Sequence, residues 1–299
     1  MPDNQLQDER KNHRTGMVCA LGCMLIWGVM PIYWKALVPI DSYVIILYRI
    51  VLVGVTCFVA AVKVYGLRRL ASTFSNKRTV FLLFIAGLII TANWSTYIYA
   101  INSGQTIATC IGYYIDPLVV CIFGMVFFKE RPTKYKLVSI VFACIGVLVV
   151  VVHFMKLPLI ALTLALTFAT YTAMKKHLHV EAVVSLFFET VFLTPFALGA
   201  IVYLEMNGRG AIAAGGQYQF ALLMLAGLLT ATPLTLFAIA ANRISLISLG
   251  ILEYIAPSIT LLIGIFLFKE GFDFVQLAAF VVIWVGLVFF TYGEIHEKD

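Results

Sequence analysis

Long apolar runs, separated by short breaks marked with charge, glycine or proline, set the rhythm of this chain. They fall at about 16–35, 43–65, 79–100, 106–128, 136–154, 158–174, 182–206, 219–241, 245–268 and 274–292. A bilayer-spanning helix needs about 17–25 predominantly apolar residues, so each run is long enough to cross. Backbone groups in hydrocarbon must bond within their own segment, which predicts helices. Strands of a membrane barrel would instead alternate in segments of about ten residues. The pattern predicts an all-α polytopic membrane protein with ten transmembrane helices, short loops and little chain left for a soluble domain.

Composition excludes the main competing class. Of 299 residues, 62% are hydrophobic and 12% charged, against about 45–50% and about 25% in soluble domains. A compact water-soluble enzyme does not fit. The net charge of +6 does not imply nucleic acid, because that footprint needs Lys and Arg clustered on one exposed face. Here sixteen lie in the tails and alternate loops of one side, four in the opposite loops, and Arg49 inside a helix. The positive-inside rule then places both termini in the cytoplasm, and the expected location is the plasma (inner) membrane.

Residues 1–15 and 294–299 are read as cytoplasmic tails. The first sixteen residues are polar, carry Asp3, Asp8 and Glu9, and show no AxA-like site, so no cleaved signal peptide is expected. Cys19, Cys23, Cys57, Cys110, Cys121 and Cys144 all fall within apolar runs and outside any CxxC pair. They read as small buried hydrophobes, not disulfides or metal ligands. The histidines (His13, His153, His177, His179, His296) fall in tails or loops, where solvation is expected.

An internal repeat is the most informative feature. Residues 113–130, YYIDPLVVCIFGMVFFKE, align without gaps with residues 253–270, EYIAPSITLLIGIFLFKE, at an offset of 140. Tyr114 meets Tyr254, Pro117 meets Pro257, Gly124 meets Gly264, and Phe128-Lys129-Glu130 meets Phe268-Lys269-Glu270. Gly87 with Gly227 and Gly146 with Gly286 extend the match. The repeats are drawn at 16–154 and 155–293, five helices each. Five is odd, so the second copy enters the membrane from the opposite side. Inverted repeats are an architecture of secondary transporters, whose substrate sites lie near the midplane at the repeat interface.

These residues resemble the drug/metabolite transporter superfamily with two EamA-type repeats, and within it the RarD-type proteins. The likeness rests on Trp27-Gly28 with Pro31 and Tyr33, Tyr48-Arg49, Asn93-Trp94 with Ala100 and Asn102, GYYIDP at 112–117, Glu189 ahead of Pro195, and Tyr254 with Pro257. It covers almost the whole chain and implies a ten-helix, exporter-like fold with cytoplasmic termini. It also tilts the cargo toward amino acids, related metabolites or drugs.

Four ionisable residues sit inside helices: Arg49, Asp116, Glu189 and Glu253. A charge at the bilayer centre costs about 2.5–3.5 kcal/mol on insertion scales, so such groups face a cavity or a partner. If the offset of 140 persists, Arg49 is the counterpart of Glu189. The two then either meet as a structural ion pair or both line a cavity, Arg49 holding a carboxylate or phosphate and Glu189 an ammonium group or a proton. Asp116 precedes Pro117, and Glu253 stands a turn before Pro257, so each carboxyl lies where proline interrupts a helix. Either is a candidate proton site, because burial disfavours charge; the bland alternative is a kink satisfied by a neighbouring donor.

Asn93 and Tyr97 share a helix face beside Trp94, with Tyr113 and Tyr114 on the next helix. Aromatics around a polar centre suit an amphipathic substrate, although Trp and Tyr also form interfacial belts; Trp27 and Trp284 share that ambiguity. The chain has no Walker loop or Rossmann fingerprint, and no hydrolase motif. No cofactor, metal site or nucleic-acid partner is expected; the expected partners are a small-molecule substrate, the lipid bilayer and protons as coupling ion. The sequence thus points to a secondary active transporter, an exporter of small organic molecules by alternating access, and an uncoupled facilitator fits the same residues equally well. The rival is a membrane-embedded enzyme or lipid-handling scaffold using the buried carboxylates, which lacks an intramembrane His and a catalytic cap. A channel is disfavoured by the absence of a repeated filter.

Overall fold

The computed structural model describes residues 2–102, 106–154, 159–269 and 274–296. All regular structure among them is helical. The first half contains α1 (Pro2–Ala36), α2 (Ser42–Ser75), α3 (Lys77–Asn102), α4 (Thr106–Phe127) and α5 (Lys134–Phe154). The second contains α6 (Leu159–Leu178), α7 (Ala182–Val191), α8 (Thr194–Met206), α9 (Ala211–Ala214), α10 (Gln217–Met224), α11 (Ala226–Ala241), α12 (Leu246–Glu253), α13 (Ile255–Phe266) and α14 (Phe274–His296). Seven helices are long and apolar enough to cross a membrane, and α7 with α8, bent by 55° at their junction, makes an eighth if the pair is one span. Of the other two expected spans, α4 runs over 22 residues and is apolar along Gly112–Phe127, and α6 carries Lys175, Lys176 and His177 in its last turn.

Breaks within the second half follow the sequence. Pro195 stands in the first turn of α8, where its missing N–H costs no helical bond. Pro257 occupies the corresponding place in α13, just after the junction at Tyr254. The first half behaves differently at its N-terminus: the segment expected as a tail is helical from Pro2, continuous with the first apolar run.

Large apolar side chains face outward all around the bundle, including Leu25 (54% exposed), Val126 (63%), Leu148 (61%) and Val288 (68%). Such a surface is stable only against lipid. Inside, small residues let backbones approach, as in membrane helix pairs generally. The α5/α14 contact shows this reciprocally: a side chain on Gly146 would meet the Ala279 carbonyl at 2.9 Å, and one on Gly286 the Ser139 carbonyl at 3.1 Å. Gly146 with Gly286 and Ser139 with Ala279 are both related by 140 residues.

The doubled Phe-Lys-Glu motif acquires a physical role. Lys129 and Lys269 both take left-handed backbone conformations, with φ of 54° and 52°. After Lys129 the chain turns back, so that Glu130 N–H bonds to Gly124 O at 3.1 Å. The Glu130 carboxylate then accepts the Leu246 and Ile247 N–H groups at 2.8 and 3.0 Å, closing the first turn of α12. Lys176 adds an ion pair to Glu130 at 2.9 Å and donates to Ile244 O at 2.7 Å. Glu270 lies outside the described residues. At the same end of the bundle Glu294 joins His13 of α1 (3.1 Å) and Lys136 of α5 (2.9 Å). His13 is thus a partner within a helical contact and not a solvated tail residue.

Candidate functional site

Arg49 lies on α2, partly buried, with its guanidinium 3.9 Å from the centre of the Trp94 ring of α3 and 5.2 Å from that of Trp34 of α1. Tyr33 of α1, Tyr97 of α3 and Tyr113 of α4 are the ionisable side chains near enough to act on its charge. The rings of Tyr97 and Tyr113 touch, their centres 5.9 Å apart. Three helices, α1, α3 and α4, thus bring aromatic side chains around one cation, and the faces of Trp94 and Trp34 give it cation–π attraction. The Arg49 Nε–H has no hydrogen-bond partner, and no carboxylate among the described residues forms an ion pair with it. Its bidentate face is chemically competent for a carboxylate or phosphate.

Glu189 does not pair with Arg49. It lies on α7 and is buried with Lys175 of α6, which forms an ion pair with one carboxylate oxygen. Ser185 donates to that same oxygen at 2.6 Å, and Tyr171 donates to the other at 2.9 Å. Lys175 also donates to Ser185 Oγ at 2.7 Å. Lys175, one of the sixteen basic residues expected in tails and loops, instead lies inside the bundle, 3% exposed. Its position was legible from helical spacing, since Ala161, Leu164, Tyr171 and Lys175 all fall on the buried side of α6.

The gapless offset also fails at this helix pair. A side chain on Gly87 would strike the Glu189 backbone, whereas one on Gly227, its partner at 140, would strike Leu52. Leu52 and Glu189 are 137 apart, so the register has slipped by three residues, close to one turn of about 3.6. Arg49 then matches Leu186, and the expected equivalence of Arg49 with Glu189 is lost.

Asn93 is 2% exposed and ties α3 to α6, donating to Leu164 O at 2.9 Å and Thr167 Oγ1 at 2.8 Å. Tyr114 packs its ring against Phe280 of α14, with centres 4.9 Å apart, and its carbonyl accepts the Tyr254 hydroxyl. The Pro117 carbonyl lies where Gly250 of α12 leaves room for it. Trp27 packs in the core against Phe168 and Phe237, and Trp284 donates to Ser258 Oγ at 2.8 Å; both are engaged between helices.

Asp116 of α4 and Glu253 of α12 face each other, 5% and 6% exposed. No donor among the described residues reaches Asp116 Oδ1 or either Glu253 carboxyl oxygen. The site residues thus separate into three groups: a cation among aromatics, a satisfied ionic network at Glu189, and an unsatisfied acid pair. A cavity of about 370 Å³ between α3, α4 and α6, lined by Leu82, Phe123, Phe127, Thr170 and Met174, belongs to none of them. The described cysteines are free thiols, with Cys23, Cys57 and Cys121 buried and Cys144 exposed; the side chain of Cys110 lies outside the described residues. No cluster of three metal-ligating side chains occurs among the described residues.

Residues 14–152 match the EamA-like transporter family. The chain is 35% identical over 289 residues to a protein named uncharacterized transporter YojE from Bacillus subtilis (strain 168), covering 95% of this chain and 96% of that one. It is 33% identical to Protein RarD from Streptomyces exfoliatus, covering 94% and 90%. A solved crystal structure superposes with a TM-score of 0.72 at 16% identity, over 94% of this chain and 98% of the other, and supports the fold alone. Identity at this level along nearly the whole length, with the apolar helices already described, places the chain in the EamA-like family of the drug/metabolite transporter superfamily, as a RarD-like integral membrane transporter.

Proposed function

We propose that the protein is a secondary active exporter of small organic metabolites or drugs, working by alternating access between two inverted five-helix halves, 16–154 and 155–293, with both termini cytoplasmic in the inner membrane. The observation that carries the reading is Arg49, stacked on Trp94 with a free Nε–H and no carboxylate partner among the described residues. An unneutralised cation within a span is costly unless it serves a ligand or a path. Its setting fits a cargo with an anionic group and an apolar or aromatic body.

In this reading Arg49, Trp94, Tyr97 and Tyr113 contact the cargo, with Tyr33 and Trp34 completing the enclosure. Asn93, Tyr114 and Glu189 hold the helices that frame it, because their polar atoms are already engaged. Pro117 and Pro257 mark the points where α4 and the α12–α13 pair bend during the cycle. The reciprocal α5/α14 contacts, at an offset of 140, support two equivalent halves. The transporter names of the relatives favour this reading over the enzyme or lipid-scaffold alternative.

Counterflow in proteoliposomes tests it. Amino acids, nucleobases, amphenicols and quaternary amines are loaded singly, and entry of the same labelled compound is followed. At least one anionic or zwitterionic member is expected to show counterflow that Arg49→Ala abolishes in a folded protein. Counterflow indifferent to Arg49 would overturn the site.

A further inference from the structure

We propose that Asp116 and Glu253 form a proton-binding pair that holds a shared proton in the arrangement seen here and releases it when α4 and α12 separate. The first support is geometric. The two carboxyls come from opposite halves, on helices packed where Gly250 meets the Pro117 carbonyl and Tyr254 bonds to Tyr114 O, lie within side-chain reach of each other, and are more than nine-tenths buried. An ionised carboxylate only accepts hydrogen bonds, so two carboxyls in mutual contact need a proton between them. The second support is independent of their contact: among the described residues Asp116 Oδ1, Glu253 Oε1 and Glu253 Oε2 have no donor. Two buried carboxylates with neither donor nor cation would be prohibitive.

The surroundings offer no other way to neutralise them. No Lys, Arg or His among the described residues pairs with either acid. The other titratable groups facing the pair are Cys23 of α1, Cys121 of α4 and Tyr254 at the α12–α13 junction. Cys121 Sγ lies 3.5 Å from the Ile247 carbonyl and Tyr254 donates to Tyr114 O, so these two already have partners. Among the described residues these side chains form no group of three arranged to hold a metal, and the ligand that fits is the proton itself.

The pair also sits where movement would expose it. Asp116 immediately precedes Pro117, and Glu253 is the last residue of α12 before the break at Tyr254. A carboxyl exchanged between this contact and water would take up and lose its proton once per cycle. That coupling rests on the transporter reading, whereas proton binding by the pair does not.

Infrared spectroscopy of the full chain in lipid nanodiscs separates the two. The expected result is a protonated-carboxyl band that titrates with pH, shifts or disappears in Asp116→Asn and in Glu253→Gln, and is absent from the double variant. No such band in the wild type, or one unchanged in the double variant, would overturn the pair. Should the neutral variants fail to fold, Glu253→Asp keeps both acids while shortening one arm, and a band it leaves unmoved counts against the pair equally. In proteoliposomes with the same panel of labelled compounds, a pH gradient should accelerate wild-type entry, and in Glu253→Gln the ratio of rates with and without the gradient should fall to unity. Wild-type counterflow insensitive to the gradient would remove the coupling. Absence of all counterflow with the infrared band intact would remove the transporter reading and leave the proton pair standing.

Discussion

The Tyr254 hydroxyl donates to the backbone carbonyl of Tyr114 at 3.1 Å, and the two residues occupy the same position in the two halves of the chain. The relation is one-sided: the Tyr114 ring turns instead toward Phe280. A duplicated sequence therefore supplies a pair of tyrosines whose tasks have diverged. The bond sits beside the acid pair and links α4 to the α12–α13 junction, so it controls how closely the halves approach there.

Removing only that hydroxyl measures the link. Tyr254→Phe should destabilise the protein by about 1 kcal/mol, the usual net contribution of a hydrogen bond and within the range found inside membranes. Tyr203→Phe on the exposed side of α8 should leave stability unchanged. Reversible unfolding in mixed micelles reads both, and equal stability of Tyr254→Phe and the wild type would show that the contact carries no load.

The Glu189 network predicts strong non-additivity. Lys175→Met leaves a buried carboxylate facing only Ser185 and Tyr171, and breaking a buried pair from one side costs about 3–5 kcal/mol. Glu189→Gln alone strands the ammonium group and should cost a comparable amount. The double variant should recover much of the loss, since neither charge is then left behind. A double-mutant cycle by the same unfolding assay checks this; additive losses would mean that the two charges act independently.

Much of this arrangement was legible in the sequence, and the exceptions have physical causes. The apolar runs are local features that reappear as helices, seven or eight of them long and apolar enough to span, and the doubled Phe-Lys reappears as the left-handed turns at Lys129 and Lys269. Lys175 was hidden because a lysine beside another lysine at a helix end reads as a loop charge, although its spacing from Tyr171 points inward. The partners of Arg49 were hidden because the two halves slip by about one turn at α2 and α7. Sequence equivalence at 140 residues holds at α5 and α14 but not there, and only the glycine contacts reveal the slip. The span count blurred for a related reason: the last turn of α6 carries Lys175 and Lys176, which serve interior contacts.

Glu130 shows what its motif does, and a local measurement can check it. Its two oxygens take the N–H groups of Leu246 and Ile247, which α12 cannot satisfy from within. Glu130→Ala should lose about 1–2 kcal/mol as a cap is removed. The loss should appear as faster hydrogen exchange in peptides covering residues 246–250, with exchange across α5 and α14 unchanged. Protection at 246–250 equal to the wild type would show that Ser245, which also caps α12 through Ser248 N–H, suffices alone.

Arg49 offers the sharpest test of site chemistry, because charge and planarity can be separated. Lysine keeps the positive charge but loses the flat guanidinium that stacks on Trp94 and presents two parallel donors. If Arg49 served only to balance charge, Arg49→Lys would transport normally. The geometry predicts otherwise: loss of a desolvated cation–π contact is worth up to about 2 kcal/mol, and a bidentate anion contact is lost with it. Arg49→Lys should thus raise the half-saturating cargo concentration in counterflow by more than tenfold, with Arg49→Ala inactive. Trp94→Leu, which keeps the arginine but removes its platform at 3.9 Å, should fall between the wild type and Arg49→Lys. A Trp94→Leu protein indistinguishable from the wild type would detach the aromatic enclosure from binding and leave Arg49 acting by charge alone.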